Sequence, residues 1–495
     1  LQSPAALTVV STATTENIFV SDSAQNCIFK YSNTGVFLGK LDKASLLSPS
    51  TLSSPGGLEA STDAEFLYVT DTNNHRVIKI KLNLTTEEIE LGDDYFAIEP
   101  RYFNVNNDLA TWPLGFAPNG SVEEGGHIEL NVTAKKGDGS VNTAYTGTSA
   151  TGKIYIDPTI GLVTWEGAGI TDLGAGNTNN GAEYGVASTT FTSGVAKFYV
   201  RNTMQASALK VTIVDNTNTE MKGEVEISWT AENTPPALEF IGTNSKGFRK
   251  FICKNDPSVT FIKIPASAFD RGDGSYGGAP TEIKMSTYYI AETLTTNSQF
   301  NNWRNSPGAP ALVGAWASNS GLSSYSQHPA ICLQKDDARN YSYWLITGSN
   351  SGQNEMYHSS ADQHEKAGRG AKLAGVGNNA AEKIWPWGNT WNTSNCNENS
   401  IQTPDERIFI GLSAIANGTT RVTRYPEMGY YGLRDITGNC WVWLRDNPNL
   451  VTGGSWYNGG LGSESYRCSF TTSHSPGFLG GKWDSVRPCF YWPVQ

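Results

Sequence analysis

Histidine and cysteine are the side chains best suited to holding a metal or attacking a substrate, and their spacing in this chain provides for neither. The six histidines, His75, His127, His328, His358, His364 and His474, form no HxH or HExxH pair. His358 and His364 lie on a segment with no clear helical face and are expected to be solvent-exposed loop residues. The seven cysteines, at 27, 253, 332, 396, 440, 468 and 489, form no CxxC pair and no zinc spacing. Five of them fall between residues 332 and 489, which leaves two readings open: one or two C-terminal disulfides, or small buried thiols. There is no nucleophile elbow and no phosphate-cradling glycine loop. No catalytic residue, metal or cofactor is therefore expected.

Binding chemistry is concentrated instead in VTGGSWYNGGLGSESYRCSFTTSHSPGFLGGKWDSVRPCF (451–490), which carries five charged residues in forty. Tyr457, Tyr466, Phe470 and Trp483 offer large contact area at low side-chain entropy cost. Ser, Asn and Thr supply adaptable hydrogen bonds, as in antibody-like paratopes. Glu464, Tyr466, Phe470, Thr472 and His474 share one parity, so an extended chain would place them on one face. Glycines at 459, 460, 477, 480 and 481 break the stretch into short turns. The candidate ligand-binding residues are Tyr457, Asn458, Leu461, Glu464, Tyr466, Phe470, Thr472, His474, Leu479 and Trp483. The alternative is that this stretch edges the fold and packs on a neighbouring subunit.

At 495 residues the chain exceeds one core, and about three domains of roughly 100–200 residues are expected. Charged residues make up 17%, below the usual share of about 25%. With 51 Gly and many aromatics, this composition predicts short strands joined by turns. A net charge of −11, with Lys and Arg spread singly, argues against a nucleic-acid partner. No apolar run is long enough to span a membrane. The chain opens at Leu1-Gln2-Ser3 without an initiator Met or signal peptide, as expected of a processed or truncated product.

Three regions follow. NIFVSDSAQNCIFKY (17–31) aligns with FLYVTDTNNHRVIKI (66–80) at a constant offset of 49 residues. Each copy reads as strand, turn, strand. The pattern resembles the NHL-type repeat, which implies propeller-like hairpins across 1–100. Within 101–236, HIELNVTAKK (127–136), TGKIYIDP (151–158), STTFTSGVAKFYVR (188–201), ALKVTIVDN (208–216) and GEVEISWTA (223–231) alternate apolar with polar residues. They fit an immunoglobulin-like sandwich serving as a spacer, and Asn233-Thr-Pro-Pro236 reads as a short stiff linker.

From 237 to 495 the wording becomes specific. MSTYYIAETLTTNSQFNNW (285–303) reads as a strand turning into a helix. KDDARNYSYWL (335–345) reads as an amphipathic helix with Ala338, Tyr341 and Leu345 on one side. KIWPWGNTWNTSNCN (383–397), YYGLRDITGNCWVW (430–443), GGSW (453–456), YRC (466–468) and SVRPCF (485–490) follow in order. This series resembles the formylglycine-generating-enzyme-like form of the C-type lectin fold, from about 260 to 490. The resemblance implies a scaffold of Trp387, Gly388, Gly438, Asn439, Trp441, Trp443, Gly453, Gly454, Trp456 and Arg487. EMYHSSADQHEKAGRG (355–370) stands where the family has a helix and matches it weakly, so its packing is an open point.

Two branches of the family differ in what they do. The copper-dependent oxidase needs two cysteines after the GGS strand, and the matching positions here are Asn458 and Ser463. The glutamate that serves as a calcium ligand in that branch is Val442 here. The other branch, the variable proteins of diversity-generating retroelements such as the phage major tropism determinant, rewrites its last segment as a ligand-binding face. That resemblance implies a multidomain, mainly β protein with a C-terminal α+β lectin-fold domain. It would be an extracellular receptor-binding protein or adhesin, at a virion tail tip or cell surface. Its partner would be a cell-surface protein or glycan, with a homo-oligomer such as a trimer adding valency and no membrane insertion. An invariant assembly contact is the alternative.

Overall fold

The computed structural model describes residues 1–11, 16–41, 52–82, 94–103, 116–117, 122–137, 139–155, 163–166, 171–172, 183–232, 234–313, 316, 325–350, 355–372, 383–398, 418–456, 462–474 and 483–492. The protein is mainly β, in several sheets, with three α-helices among the described residues.

The internal repeat folds as two hairpin units. β1 (Pro4–Ser11), β2 (Glu16–Asp22), β3 (Cys27–Ser32) and β4 (Phe37–Leu41) form one antiparallel sheet. β5 (Pro55–Ala60), β6 (Phe66–Asp71) and β7 (Arg76–Lys81) form the second. The repeated aspartates explain why the wording recurs. Asp22 is buried and accepts from the amides of Ser3, Ala24 and Gln25 at 3.0–3.1 Å. Asp71 is likewise buried and accepts from the Ser53 amide at 2.6 Å, Asn74 Nδ2 at 2.8 Å and Arg76 Nε at 2.7 Å. Burial opposes ionisation of both, yet these donors outweigh it and hold each carboxyl below its usual range. The following turns place Asn26 and His75 at φ 53° and 51°, the left-handed region. The first strands repeat too: Pro4 faces Asp22 and Pro55 faces Asp71, each followed by a register shift. The offset there is 51 rather than 49, so a constant-offset alignment misses it.

Eleven further strands build two sheets around one apolar cluster. They are β8 (Tyr95–Phe103), β9 (Phe116–Ala117), β10 (Val122–Glu123), β11 (His127–Lys135), β12 (Gly147–Tyr155), β13 (Val163–Glu166), β14 (Thr171–Asp172), β15 (Glu183–Phe191), β16 (Val195–Asn202), β17 (Ala206–Asp215) and β18 (Lys222–Thr230). One sheet runs β10-β18-β17-β12-β15-β14 and the other β13-β16-β11-β8-β9. The alternation of β11 and β16 turns Ile128, Leu130, Val132, Phe198 and Val200 inward, all at 0% exposure. β8 pairs with β11 over eight residues, so this sandwich begins ahead of the expected boundary at 101.

Residues 237–492 hold the lectin-like domain. β19 (Leu238–Thr243), β20 (Arg249–Cys253), β21 (Thr260–Ile264) and β24 (Tyr288–Ala291) continue to β29 (Cys489–Tyr491) in one antiparallel sheet. β22 (Ser267–Arg271) and β23 (Thr281–Met285) form a hairpin. The second sheet has the order β27 (Thr471–Ser473), β26 (Leu450–Thr452), β25 (Trp441–Trp443), β28 (Asp484–Ser485). Helix α1 (Asn297–Arg304) starts at a Thr296–Gln299 capping box, as its sequence requires. α2 (Lys335–Thr347) buries Ala338, Tyr341 and Leu345 completely. α3 (Ala361–Arg369) forms on a Ser360–Gln363 capping box despite the weak family match. It also corrects the reading of His358 and His364, which are 0% and 1% exposed. His364 Nε2 donates to Ile436 O at 2.8 Å. Burial and nearby cations push both imidazoles down to about 3, so both are neutral near pH 7.

The segment expected to be a stiff linker leads straight into a buried ionic junction. Glu232, its side chain fully buried, accepts from Arg249 Nε at 2.7 Å, Lys263 Nζ at 3.1 Å and the Tyr289 hydroxyl. Arg249 also meets Glu124 at 3.1 Å and Lys263 meets Glu123 at 3.0 Å. Beside it, Arg201 donates to Gly247 O at 2.6 Å and lies over the Phe248 ring. Glu166 gathers His127 at 2.9 Å and the Tyr430 hydroxyl. These contacts join the β8–β18 sandwich to the lectin-like part of the chain. Glu232→Gln removes the carboxylate that Arg249 and Lys263 share, while each keeps one glutamate, and a loss of up to about 3 kcal/mol is expected in urea unfolding. Lys210→Ala, which breaks the exposed pair with Glu224, should cost less than about 1 kcal/mol.

Candidate functional site

Two fixed ends flank the stretch 457–483. At the first, Gly453 and Gly454 take φ +92° and +72°. A Cβ on Gly454 would sit 2.6 Å from the Tyr466 ring and 2.9 Å from Ser465 O, so no side chain fits there. Gly438 N donates to Gly453 O at 2.6 Å, and Trp456 N donates to Asn439 O at 3.0 Å. Asn439 is fully buried and joins Asn397, Thr420 and Asp435 by side-chain bonds. At the second end β28 pairs in parallel with β25, and Trp441 N donates to Trp483 O at 3.0 Å. Arg487 follows, 0% exposed. Its Nη1 donates to Ala291 O and Glu292 O at 2.7 and 3.0 Å, and Nη2 to Arg434 O and Asp435 O at 2.6 and 2.8 Å.

Between these ends the chain is pinned a third time. Gly462–Tyr466 coils into a 3-10 turn, and YRCSF (466–470) passes through the domain rather than over it. Tyr466, 1% exposed, donates its hydroxyl to Ser455 O at 2.7 Å and stacks on Trp391 with ring centroids 5.1 Å apart. Arg467 Nη1 meets Asp273 at 2.9 Å, and its Nε meets Glu464. Ser469 Oγ donates to the same Asp273 oxygen at 2.9 Å. Burial opposes ionisation of Asp273, but the Tyr276 amide, Arg467, the Ser275 amide and Ser469 prevail and hold its carboxyl low. Phe470 is 8% exposed and packs on Tyr276 and Trp441. Its carbonyl accepts from Thr452 Oγ1 at 2.8 Å.

The single-face reading of residues 464–474 is therefore corrected. Tyr466 and Phe470 are core side chains, because the 3-10 turn breaks the two-residue period that parity assumed. In β27 the alternation does hold, but with the opposite sense. Thr471 and Ser473 face outward, while Thr472 and His474 lie half-buried toward the sheet. His474 Nδ1 is 2.8 Å from Asp484, and its ring stands edge-on to Trp441. Glu464 keeps 39% of its side chain exposed while holding Arg467. Trp483 is half-buried against the main cluster. Tyr457, Asn458, Leu461 and Leu479 lie outside the described residues. Thr471 and Ser473 had a sequence signal that was available: they have the opposite parity to Thr472.

Among the scaffold residues, Trp441, Trp443 and Trp456 are 1–2% exposed, whereas Trp387 is half-buried beside Trp391. Gly388 takes φ +137° in the turn after Trp387, with open space where a Cβ would stand.

The positions where an oxidase would hold metal do not fit one. Val442, at the place of the calcium-ligating glutamate, is 1% exposed among Leu294, Ile331, Val422 and Trp456 and carries no donor. Ser463 offers no thiol, and its carbonyl is taken by Trp385 Nε1 at 3.1 Å. The cysteines of this domain are buried. Burial pushes the thiols of Cys468 and Cys489 up to about 12, keeping them protonated and poorly nucleophilic. Among the described residues no three His, Cys, Asp or Glu side chains converge on a metal position, and no helix is long and apolar enough to cross a membrane.

Residues 252–482 match the sulfatase-modifying factor enzyme 1-like domain family, a little under half of the chain. Among solved structures, the chain is similar to variable protein 1 of Treponema denticola at 15% identity. That match covers 52% of this chain and 99% of the other, with a TM-score of 0.33. A β-glucuronidase of glycoside hydrolase family 2 matches at 8% identity over 58% of this chain and 35% of its own, TM-score 0.17. Selenomethionine-substituted virginiamycin B lyase of Staphylococcus aureus matches at 11% identity over 59% and 77%, TM-score 0.11. None of the three superposes closely enough to carry an argument.

Two expectations follow. Tyr466→Ala should cost about 3–5 kcal/mol in chemical unfolding, while Thr471→Ala and Ser473→Ala should stay within about 0.5 kcal/mol. Burial also raises Glu365 and Asp435 to about 7, against the pull of Arg369 on the first and of Asn439 and the Arg487 and Arg434 cations on the second. Carboxyls raised on folding contribute stability that is complete below their ordinary range near 4 and lost as pH rises through about 7. The buried neutral His358 and His364 act in the opposite sense over the same range, so the carboxyl share is read as a difference: the melting temperature of Glu365→Gln relative to wild type should be higher at about pH 8 than at about pH 5.

Proposed function

We propose that this protein is a non-enzymatic binder which displays a changeable surface on the lectin-like domain, within residues 457–483. The observation that carries this reading is the separation of frame from surface. Every residue that fixes the backbone (Gly454, Tyr466, Phe470, Arg487) is buried or sterically constrained. Thr471 and Ser473, between those fixed points, pair with β26 through their backbone while their side chains are exposed. Side chains can therefore change at such positions without changing the fold, which is what a specificity-determining surface requires.

The family of the match includes non-enzymatic members, and the oxidase positions lack their ligands, so binding is the better account of this domain. The partner would be a cell-surface protein or glycan, met outside the cell by a phage tail tip or a surface adhesin. The two-domain junction at Glu232 supports that role by presenting the face at a set angle. A single face is small, so useful affinity would come from several copies acting together.

Sequencing this gene and its flanks across a natural population checks the proposal. The expected finding is a second, near-identical copy of the 3′ segment, with adenine-linked differences at codons inside 457–483. Codons for Gly453–Trp456, Tyr466, Phe470 and Arg487 should stay constant. Invariant codons throughout 457–483, with no second copy, would instead mark the stretch as an assembly contact or a site for one fixed ligand.

A further inference from the structure

The two N-terminal hairpin units meet face to face, and the way they meet leaves each with one face unused. In the first unit, Phe19 pairs with Lys30 and Ser21 with Ile28, so these four side chains share a face. All four are 0–1% exposed. That face, with Val10, packs against Leu58, Leu67, Val69, Ile78 and Ile80 of the second unit. Ser21 crosses the junction, its hydroxyl donating to Gly56 O at 2.6 Å. Asn26 Oδ1 accepts from Ser54 N at 2.7 Å in the same seam.

The 49-residue offset identifies the matching face of the second unit: Tyr68, Thr70, Val77 and Lys79. Their pairing is the same, Tyr68 with Lys79 and Thr70 with Val77. Here, however, no described strand packs over them. Tyr68 is 37% and Val77 64% exposed, and Thr70 and Lys79 are exposed as well. Thr70 Oγ1 accepts from Gly57 N at 2.6 Å, much as Ser21 Oγ accepts from Ala6 N at 3.0 Å. Its hydroxyl is thus set up as the one that crosses the existing junction.

The first unit shows the complement. The face corresponding to Leu67, Val69, Ile78 and Ile80 consists of Ile18, Val20, Phe29 and Tyr31. The pairing of β1 and β4 extends it with Leu7, Val9 and Phe37. Phe29, Tyr31 and Phe37 form one aromatic group. Leu7, Val9 and Phe37 are still 60%, 45% and 54% exposed. Val20 and Phe29 at the centre of that face are buried, at 7% and 9%, so its open part is the Leu7–Val9–Phe37 margin. The pair thus exposes one front face and the margin of one back face, of the types already joined within the pair.

We propose that a second copy of this chain fills that gap. The Tyr68–Thr70–Val77 face of one copy stacks on the Leu7–Val9–Phe37 face of the next, repeating the contact that unites the two units within a copy. Such a head-to-tail contact is heterologous, so it closes into a ring when the rotation per copy allows. Closed propellers usually have four to eight blades, and two units per copy would reach that with about two to four copies. The ring would carry one lectin-like domain per copy, raising the effective concentration of their faces. The stacking stands independently of what those faces bind.

Sedimentation of the full chain tests this. The wild type should run as two to four copies, while Val77→Asp and Phe37→Asp, each placing a charge on one open face, should run as folded monomers that keep a cooperative melt. The decisive sample is their mixture. A Val77→Asp copy keeps its back and a Phe37→Asp copy keeps its front, so the two should recover a one-to-one particle that grows no further. A wild type that stays monomeric at every concentration would overturn the proposal, including the case where other repeats of the same natural chain cover these faces. Association untouched by either substitution, or variants that fail to pair when mixed, would overturn it too.

Discussion

One buried guanidinium sets the geometry on which the C-terminal domain depends. Arg487 spends four donor contacts on the carbonyls of Ala291, Glu292, Arg434 and Asp435. Those carbonyls belong to the end of β24 and to the turn that leads into β25, and Arg487 lies on the approach to β29. One side chain thus joins three segments that are distant in sequence. Burial lowers the Arg487 pKa to about 10, yet the group stays charged at neutral pH. Its planar fork suits pairs of carbonyls in a way a lysine ammonium cannot. A buried charge without these partners would cost several kcal/mol, so the three segments cannot drift apart cheaply.

The consequences spread outward from that point. With β24, the turn and β29 fixed, β25 and β28 pair in register and both ends of 457–483 are set. Asn439 and Gly454 carry the constraint to the first end, and Tyr466 with Asp273 pins the middle. Between the pins, the described residues Thr471 and Ser473 turn their side chains outward. A similar logic governs the junction with the sandwich, where Glu232, Arg249 and Lys263 are buried together. Buried ionic clusters add little net stability compared with apolar packing, but pulling their partners apart leaves buried charges unpaired, which is costly. That makes them suited to fixing an angle between domains.

Much of this was legible in the residues. The hairpin repeat, the alternating strands of the sandwich and the i, i+3, i+7 face of α2 follow from local period alone. The ordered landmarks from 383 to 490 located the lectin-like domain. What local period could not reveal was burial of groups whose type suggests the surface. Tyr466 and Phe470 look like contact residues by type, and only the 3-10 turn at Gly462–Tyr466 sends them inward. His358, His364, Lys366 and Arg369 look like a solvated face. They lie buried all the same, and for Lys366 the partners are remote in sequence: its Nζ donates to Pro265 O and Ser267 O at 2.9 and 3.3 Å. The junction at Glu232 was hidden for the same reason: its partners are remote in sequence.

The central claim is that frame and surface are separable within 451–490. The most direct measurement is a saturation substitution scan of that segment displayed on cells, with protease resistance reporting folding for every variant. The account predicts that Thr471 and Ser473 accept nearly all residues, while Gly454, Tyr466, Phe470 and Arg487 accept almost none. Equal sensitivity at exposed and buried positions, or ready replacement of Arg487 by lysine, would contradict it.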